Sequence, residues 1–218
     1  MQIIPAINAT DFERVKRMIL QATEFVIPAG GWIHLDIADG KFTANKTWGN
    51  PADLGQSALN FSDLHAVHFE IHLMVNDPES VVTEWLKAGV GRVIVHMEAI
   101  RDAEAILEQC QAHGVQAMLS SNPETPPDAL LPFLQDFNAF QVLAVKPGLA
   151  GQAFKPEAVK KIKFLRERAP NATIEVDGGI TKTTGKLAKD AGADILVSAS
   201  YIWGSKNQRK AFEELMNL

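Results

Sequence analysis

The chain contains a single cysteine, Cys110, among its 218 residues. One thiol excludes an internal disulfide and a thiolate metal cage. Cys110 stands in AEAILEQCQAHG, a helical pattern, and reads as structural rather than redox-active. Long apolar runs are also missing, and none approaches the ~20 residues of a membrane-spanning helix. There is no basic excess. Lys and Arg number 21 against 26 Asp and Glu, a net charge of −5, which excludes a nucleic-acid footprint or a polybasic membrane patch. The opening MQIIPAINATDF lacks the basic region and apolar stretch of a secretory signal. The expectation is a cytoplasmic protein with neither a nucleic-acid nor a membrane partner. An acidic balance leaves anionic substrates open, because backbone N–H groups bind phosphate on acidic proteins.

What is present is an alternation. IIPAI (3–7), GWIHLDI (31–37), AVHFEIHLMV (66–75), GRVIVHM (91–97), VQAMLS (115–120), FQVLAVK (140–146), ATIEVDGG and ADILVSAS are apolar, rich in β-formers and bounded by Gly or Asp. Amphipathic helical patterns stand between them. FERVKRMILQATEFV follows a cap at Thr10 or Asp11. A short helix starts at Pro51, and the Asp77-Pro78 step opens PESVVTEWLKAG. IRDAEAILEQCQAHG comes next, then a helix after Thr125-Pro126-Pro127, then PEAVKKIKFLRERA, TKTTGKLAKDAG and KNQRKAFEELMNL. Strands alternating with helices imply parallel pairing through right-handed crossovers. Eight such units in one chain of 218 residues predict an α/β fold, a (β/α)8 TIM barrel occupying residues 1–218 as one domain, over an open doubly wound sheet. AGVGRV joins a helix to a strand, the wrong order for a dinucleotide loop.

Barrel chemistry gathers at the C-terminal ends of strands. His34 and Asp36 share one face of strand two, being two residues apart. His72 stands on strand three and Asp177 ends strand seven. Two imidazoles and two carboxylates suit zinc, iron, manganese or cobalt over magnesium or calcium, and the carboxylates could move protons. An unmetallated polar cluster is the competing reading. Asn8, after strand one, stands within reach of a substrate. Glu70 reads as a carboxylate that orients a ligand histidine, and His68 as a core residue or one supporting the ligands. His96 and Glu98 straddle the end of strand four, where His96 is either a wall of the site or structural. His65 and His113 read as surface residues. Trp48 and Trp203 read as packing under loops, Trp32 and Trp85 as core anchors. KPGLAGQ, VDGGI and VSASYIWG follow strands six, seven and eight. Glycine lets backbone N–H groups close around an anion, so these turns predict a phosphate site beside the last strands, with a short extra helix starting at Ser200.

The segments IIPAINATDF, WIHLDIADGKFTANKTWG, IHLMV, VHMEA, VKPGLAGQAF, IEVDGGI and LVSASYIWG resemble, in order, those of the ribulose-phosphate 3-epimerase family. The resemblance spans almost the whole chain. It implies a metal-dependent 3-epimerase of D-ribulose 5-phosphate and D-xylulose 5-phosphate, with His34, Asp36, His72 and Asp177 as ligands of one divalent ion. That ion is foremost Zn2+, with Fe2+, Mn2+ or Co2+ as the other candidates. It implies Asp36 and Asp177 as acid–base residues on opposite faces of the sugar. Gly148, Leu149, Ala150, Gly151, Gly178, Gly179, Ala199 and Ser200 fall in the phosphate-contacting loops. A homo-oligomer, dimer or hexamer, is implied as well. The chain departs from the family pattern at Ala6 (usually Ser), Ala38 (usually Met), Lys41 (usually His), Lys146 (usually Asn, Glu or Asp), Leu149-Ala150 (usually Phe-Gly) and Ala199 (usually Gly). These changes leave the metal set intact and bear on which sugar fits. A 3-epimerase of another ketose phosphate, such as D-allulose 6-phosphate, is therefore a second reading. A decarboxylase or aldolase using Lys146, or a non-catalytic barrel, are the remaining ones.

Overall fold

A computed structural model describes residues 1–60 and 66–218. His65 lies outside the described residues. Eight strands carry the alternating pattern: β1 (Gln2–Ile7), β2 (Trp32–Ala38), β3 (His68–Met74), β4 (Arg92–His96), β5 (Gln116–Ser121), β6 (Ala139–Leu143), β7 (Thr173–Asp177) and β8 (Ile195–Ser198). They form a closed barrel in the order β1 to β8. The helices are α1 (Phe12–Val26), α2 (Pro51–Asn60), α3 (Val82–Lys87), α4 (Ala103–Ala112), α5 (Glu157–Arg168), α6 (Lys182–Ala191), α7 (Ser200–Trp203) and α8 (Gln208–Met216). Alternating strand and helix in one closed sheet is the (β/α)8 architecture. Among the described residues no helix is long and apolar enough to cross a membrane.

Local chemistry sets the boundaries. Asp11 caps α1 by accepting the Arg14 N–H, Asp102 caps α4 through Ala105, and Thr181 with Thr184 forms a capping box on α6, each satisfying an orphan N–H of the first turn. Gly192 ends α6 at φ 111°. Three expectations need correction. The Asp77-Pro78 step does not open α3. The Pro78 carbonyl accepts the Val81 and Val82 N–H groups in a turn, and the helix proper starts at Val82. The segment after β5 is a 3-10 helix, Pro127–Phe133, with Pro132 inside it, since a proline without an N–H cannot continue an α-helical ladder. Strand β6 stops at Leu143 instead of reaching Lys146, because the Ala144 carbonyl accepts the Lys155 N–H from the returning loop.

The chain divides into two compact units, Ala6–Ala117 and Met1–Pro5 with Met118–Leu218. In the first, β2 pairs with β3 so that His34 stands opposite Glu70 and Asp36 opposite His72, and β3 pairs with β4 so that Glu70 stands opposite Arg92. Partnered residues of parallel strands project to the same side, so these polar groups share one face. The other face is apolar: Ile33, Leu35, Ile71, Leu73, Val93 and Val95 are buried. Trp85 is buried as expected and meets Trp48 edge-on, while Trp48 stacks on Phe12. Trp32 and His68 are not core residues. They are the first residues of β2 and β3, paired in register, and that position leaves Trp32 half-buried and His68 exposed against its ring.

In the second unit, β6, β7 and β8 bring Leu143, Asp177 and Val197 into register. One step deeper, buried Ser120 donates to Gln141 at 2.6 Å, and Gln141 donates to the Glu175 carboxylate at 3.0 Å. Lys161, on α5, is buried and donates to the Ser121 hydroxyl and the Asn122 carbonyl.

Candidate active site

The densest polar chemistry of the first unit gathers around Asp36. Its Oδ1 lies 3.2 Å from His34 Nε2 and 3.1 Å from His72 Nδ1. Its Oδ2 accepts a hydrogen bond from Asn8 Nδ2 at 2.9 Å. Both histidines are fully buried. One donor atom from each of His34, Asp36 and His72 lies within 4.8 Å of the others.

Each histidine is held from behind. His34 Nδ1 lies 2.7 Å from Glu70 Oε1, and the other Glu70 oxygen accepts from Arg92 Nη1. Arg92 is anchored by its Nε–H to Gln116 at 2.7 Å and lies 4.6 Å over the Trp32 ring. His72 Nε2 lies 2.8 Å from His96 Nε2, and His96 Nδ1 lies 3.3 Å from Glu98 Oε2. His96 is therefore packed behind His72 rather than lining an open wall, with no exposed surface. The sequence alone gives Arg92 no marked role. An arginine opening the apolar run VIV was the only signal, and its meaning rests on register with Glu70.

The electrostatics describe a pocket that demands a cation. Burial opposes charge on Asp36, yet the hydrogen bonds from His34 and His72 hold its carboxyl well below the usual carboxylate range. Burial likewise opposes charge on Glu70, and His34 with Arg92 outweighs it, lowering its pKa. Burial disfavours a charged His34, but Asp36 and Glu70 together raise its pKa well above the ordinary imidazole value. His72 is lowered by burial, only partly offset by Asp36, and burial pushes His96 down to about 4. The donor set fits a divalent metal. With Nδ1–H given to Glu70, His34 Nε2 and Asp36 Oδ1 face each other as two acceptors unless a cation lies between them. A proton on His34 would fill that role, the direction in which Asp36 and Glu70 move its pKa. Carboxylates behind ligand histidines are the usual support of such centres.

Asp39 shapes the adjoining loop. One oxygen accepts the Lys41 and Phe42 N–H groups, and the other accepts the Asn76 N–H beyond β3. Burial opposes its charge slightly, and these three N–H groups lower its pKa. The clamp sets Phe42 against His96, ring centroids 4.7 Å apart. Ala6 and Ala38, two of the departures from the family pattern, are buried.

In the second unit Asp177 ends β7, and its carbonyl accepts the Ala144 N–H at 2.7 Å. Gly178 and Gly179 follow at φ 105° and 65°. A Cβ on Gly179 would meet the Phe154 N at 2.4 Å, and one on Gly178 would meet the Val145 side chain at 2.4 Å. Only glycine permits that approach between the loops after β6 and β7. Gly148 and Gly151 have positive φ, whereas Leu149 and Ala150 do not, so alanine at 150 carries no backbone strain and keeps its N–H. Gln152 Nε2 donates to the Lys146 and Leu149 carbonyls, both at 2.7 Å, and holds the loop folded. Leu149 is exposed at its tip. Ala199 precedes the short helix α7, which starts at Ser200 as expected. Lys146 is exposed, and its charge acts on Glu124.

Comparison with known proteins agrees with this assembly of features. A Chlamydia trachomatis serovar D ribulose-phosphate 3-epimerase is 34% identical over 207 residues, covering 92% of this chain and 85% of its own. The cytoplasmic isoform of ribulose-phosphate 3-epimerase from Oryza sativa subsp. japonica is 33% identical, covering 94% and 88%. The fold is similar to that of KGPDC from Streptococcus mutans in complex with D-R5P, with a TM-score of 0.74 at 14% identity, covering 99% of this chain and 95% of that one. A model of the ribulose-phosphate 3 epimerase family matches residues 2–203, and with relatives of this identity and coverage the chain belongs to that family and is an enzyme of the isomerase class.

Proposed function

We propose that this protein is a divalent-metal-dependent 3-epimerase that interconverts D-ribulose 5-phosphate and D-xylulose 5-phosphate, with residues 1–218 acting as one catalytic domain. The observation that carries the reading is the cluster of half-buried Asp36 with buried His34 and His72 in a chain of this family. His34, Asp36 and His72 would hold the ion, with Asp177 as the fourth ligand. Support for Asp177 comes from topology: it ends β7, and in a closed parallel barrel every strand opens its C-terminal end on the same rim. Zinc is the proposed ion, and iron, manganese and cobalt suit the same ligands.

The reaction exchanges one proton at C3. A ketose C3–H is weakly acidic, and a carboxylate alone is a poor base for it. A divalent cation held by His34, Asp36 and His72 would supply stabilisation of the negative charge that develops as that proton leaves. Asp36, kept ionised by its imidazole and Asn8 neighbours, takes the proton from one face. Asp177, protonated at that moment, gives its proton to the opposite face of the enediolate, and C3 inverts. The reverse direction exchanges the roles. The backbone of Gly148, Leu149, Ala150, Gly151, Gly178, Gly179, Ala199 and Ser200 would grip the phosphate, and this remote binding energy positions C3 between the two carboxylates. A cytoplasmic homo-oligomer, dimer or hexamer, belongs to the same reading, and the name of the rice relative supports the compartment.

The small buried residues Ala6 and Ala38 favour, as a second reading, a related ketose phosphate such as D-allulose 6-phosphate. Turnover of both sugars before and after chelation separates the two. Asp36→Asn and Asp177→Asn, each verified as folded by circular dichroism, should nearly abolish epimerisation of the preferred sugar. Near-parental turnover in either variant, or in the chelated enzyme, would sink the two-base, metal-dependent scheme.

A further inference from the structure

His96 and Glu98 touch no position assigned to substrate, yet they stand behind His72 Nε2. The chain of atoms runs His72 Nε2 to His96 Nε2 at 2.8 Å, then His96 Nδ1 to Glu98 Oε2 at 3.3 Å. The two imidazoles lie nearly parallel, 19° apart with centroids at 5.0 Å, and Phe42 covers His96 from the other side. His96 is fully buried, so water does not rescue a mismatched hydrogen bond there.

With a cation between His72 Nδ1 and Asp36, only one proton arrangement satisfies the chain; without it, the opposite arrangement, in which His72 Nδ1–H donates to Asp36, competes. A carboxylate accepts and does not donate, so Glu98 requires a hydrogen on His96 Nδ1. A neutral imidazole then has a lone pair on Nε2, which requires the hydrogen of His72 on its own Nε2. The lone pair of His72 is thereby left on Nδ1, the atom that faces Asp36 Oδ1 at 3.1 Å. The opposite tautomers would set the His96 Nδ1 lone pair against the Glu98 carboxylate. We propose that His96 and Glu98 are positioning residues: they fix His72 as the Nε2–H tautomer and so present its Nδ1 as a metal ligand. The inference rests on the metal-dependent reading above. It also differs from the support given to His34, whose Nδ1 is held by a carboxylate directly and whose Nε2 faces the site. The two histidines would thus ligate through different ring nitrogens, each decided by what stands behind it.

Co2+ titration of the metal-free protein, followed by visible absorption, tests this with a readout independent of turnover. Thermal melts of each metal-free variant report structural damage separately. His96→Phe keeps a ring and removes the acceptor. It should weaken Co2+ binding by about 10–100-fold and alter the ligand-field spectrum, whereas His96→Gln, whose carbonyl accepts the same hydrogen, should stay within about threefold of the parent. Glu98→Leu should weaken binding less than His96→Phe. The double variant should be no weaker than His96→Phe alone, because the proposal routes the effect of Glu98 on His72 through His96. Parental affinity and spectrum in His96→Phe overturn the proposal. So does a His96→Gln variant as weak as His96→Phe, or an additive double variant. Should His96→Phe not fold, Glu98→Leu decides: parental affinity there overturns the proposal and weakened affinity sustains it. A parent that takes up no Co2+ overturns the metal-dependent reading itself, a result distinct from all of these.

Discussion

Replacing Glu70 by Gln removes one charge from a pair with no solvent to absorb the change. Glu70 has no exposed surface and Arg92 is 5% exposed. Losing one partner of a buried ion pair costs about 3–5 kcal/mol, because the other charge is left uncompensated. Arg92 keeps its hydrogen bond to Gln116 and its place over Trp32, which puts the expected loss at the lower end, about 3 kcal/mol. For a domain of this size about 2–4 °C accompany each kcal/mol, so metal-free Glu70→Gln should melt about 6–12 °C below the parent near neutral pH. The double variant Glu70→Gln/Arg92→Met, which removes both charges, should recover most of that. The pH dependence has a definite sign. The folded-state pKa of Glu70 is depressed, so its contribution is present above the unfolded carboxylate value and is lost as pH falls through the folded one. The gap between parent and Glu70→Gln therefore narrows on acidification. Because the Gln carbonyl can still accept from His34 Nδ1 but carries no charge, Co2+ affinity should fall about tenfold. Melts followed by circular dichroism across pH, with Co2+ titrations alongside, are the assay. A single variant that melts with the parent, or a double variant that recovers nothing, refutes the view of Glu70 as the ionic link between Arg92 and His34.

Three further outcomes follow from other parts of the molecule. Gly179→Ala forces φ 65° on an L-residue and drives a Cβ to 2.4 Å from the Phe154 N; it should cost at least about 1–2 kcal/mol and raise the KM for the phosphorylated sugar, and parental stability with parental KM would refute the tight loop packing. Metal uptake at neutral pH should release about one proton per ion, since the cation displaces the proton that Asp36 and Glu70 hold on His34. Calorimetry in buffers of different ionisation enthalpy measures that release, and affinity should rise with pH; zero release removes the argument that a proton substitutes for the ion. Burial pushes the Cys110 thiol up to about 11, so the native protein should react with a thiol reagent only on unfolding, and rapid stoichiometric labelling would contradict its structural assignment.

Periodicity alone exposes the strands, because β-branched and apolar runs bounded by Gly or Asp have few other solutions in an α/β chain. The ligand candidates are legible for a related reason: His34, Asp36 and His72 interrupt apolar strands at inward-facing positions. What the strand pattern does not reveal is which residue of one strand meets which of the next. Arg92 gains its meaning from standing opposite Glu70, a relation set by register between segments some twenty residues apart. The same gap misplaces His68, whose spacing from Glu70 and His72 puts it on their face while its place at the first position of β3 leaves it exposed. The 3-10 turn at Pro127–Phe133 shows the other limit. A proline at the start of a segment favours a helix, but Pro132 five residues later denies it the hydrogen bonds of an α-helix. Nothing in the sequence marks Asp39, and only the long-range acceptance of the Asn76 N–H makes it a clamp between two loops.

The pairing of β2 with β3 sets His34 beside Glu70 and Asp36 beside His72 in one uninterrupted ladder. A slip of one residue would turn one strand's pair to the opposite face, and the donor atoms would no longer converge. The cluster is thus a gauge of strand phase. A divalent ion offered to a refolding chain would bind the in-phase ladder and not the slipped one, and by mass action it would stabilise only the state it binds. The ion that would serve the chemistry in the finished enzyme would first act as a proofreader of the barrel's own assembly.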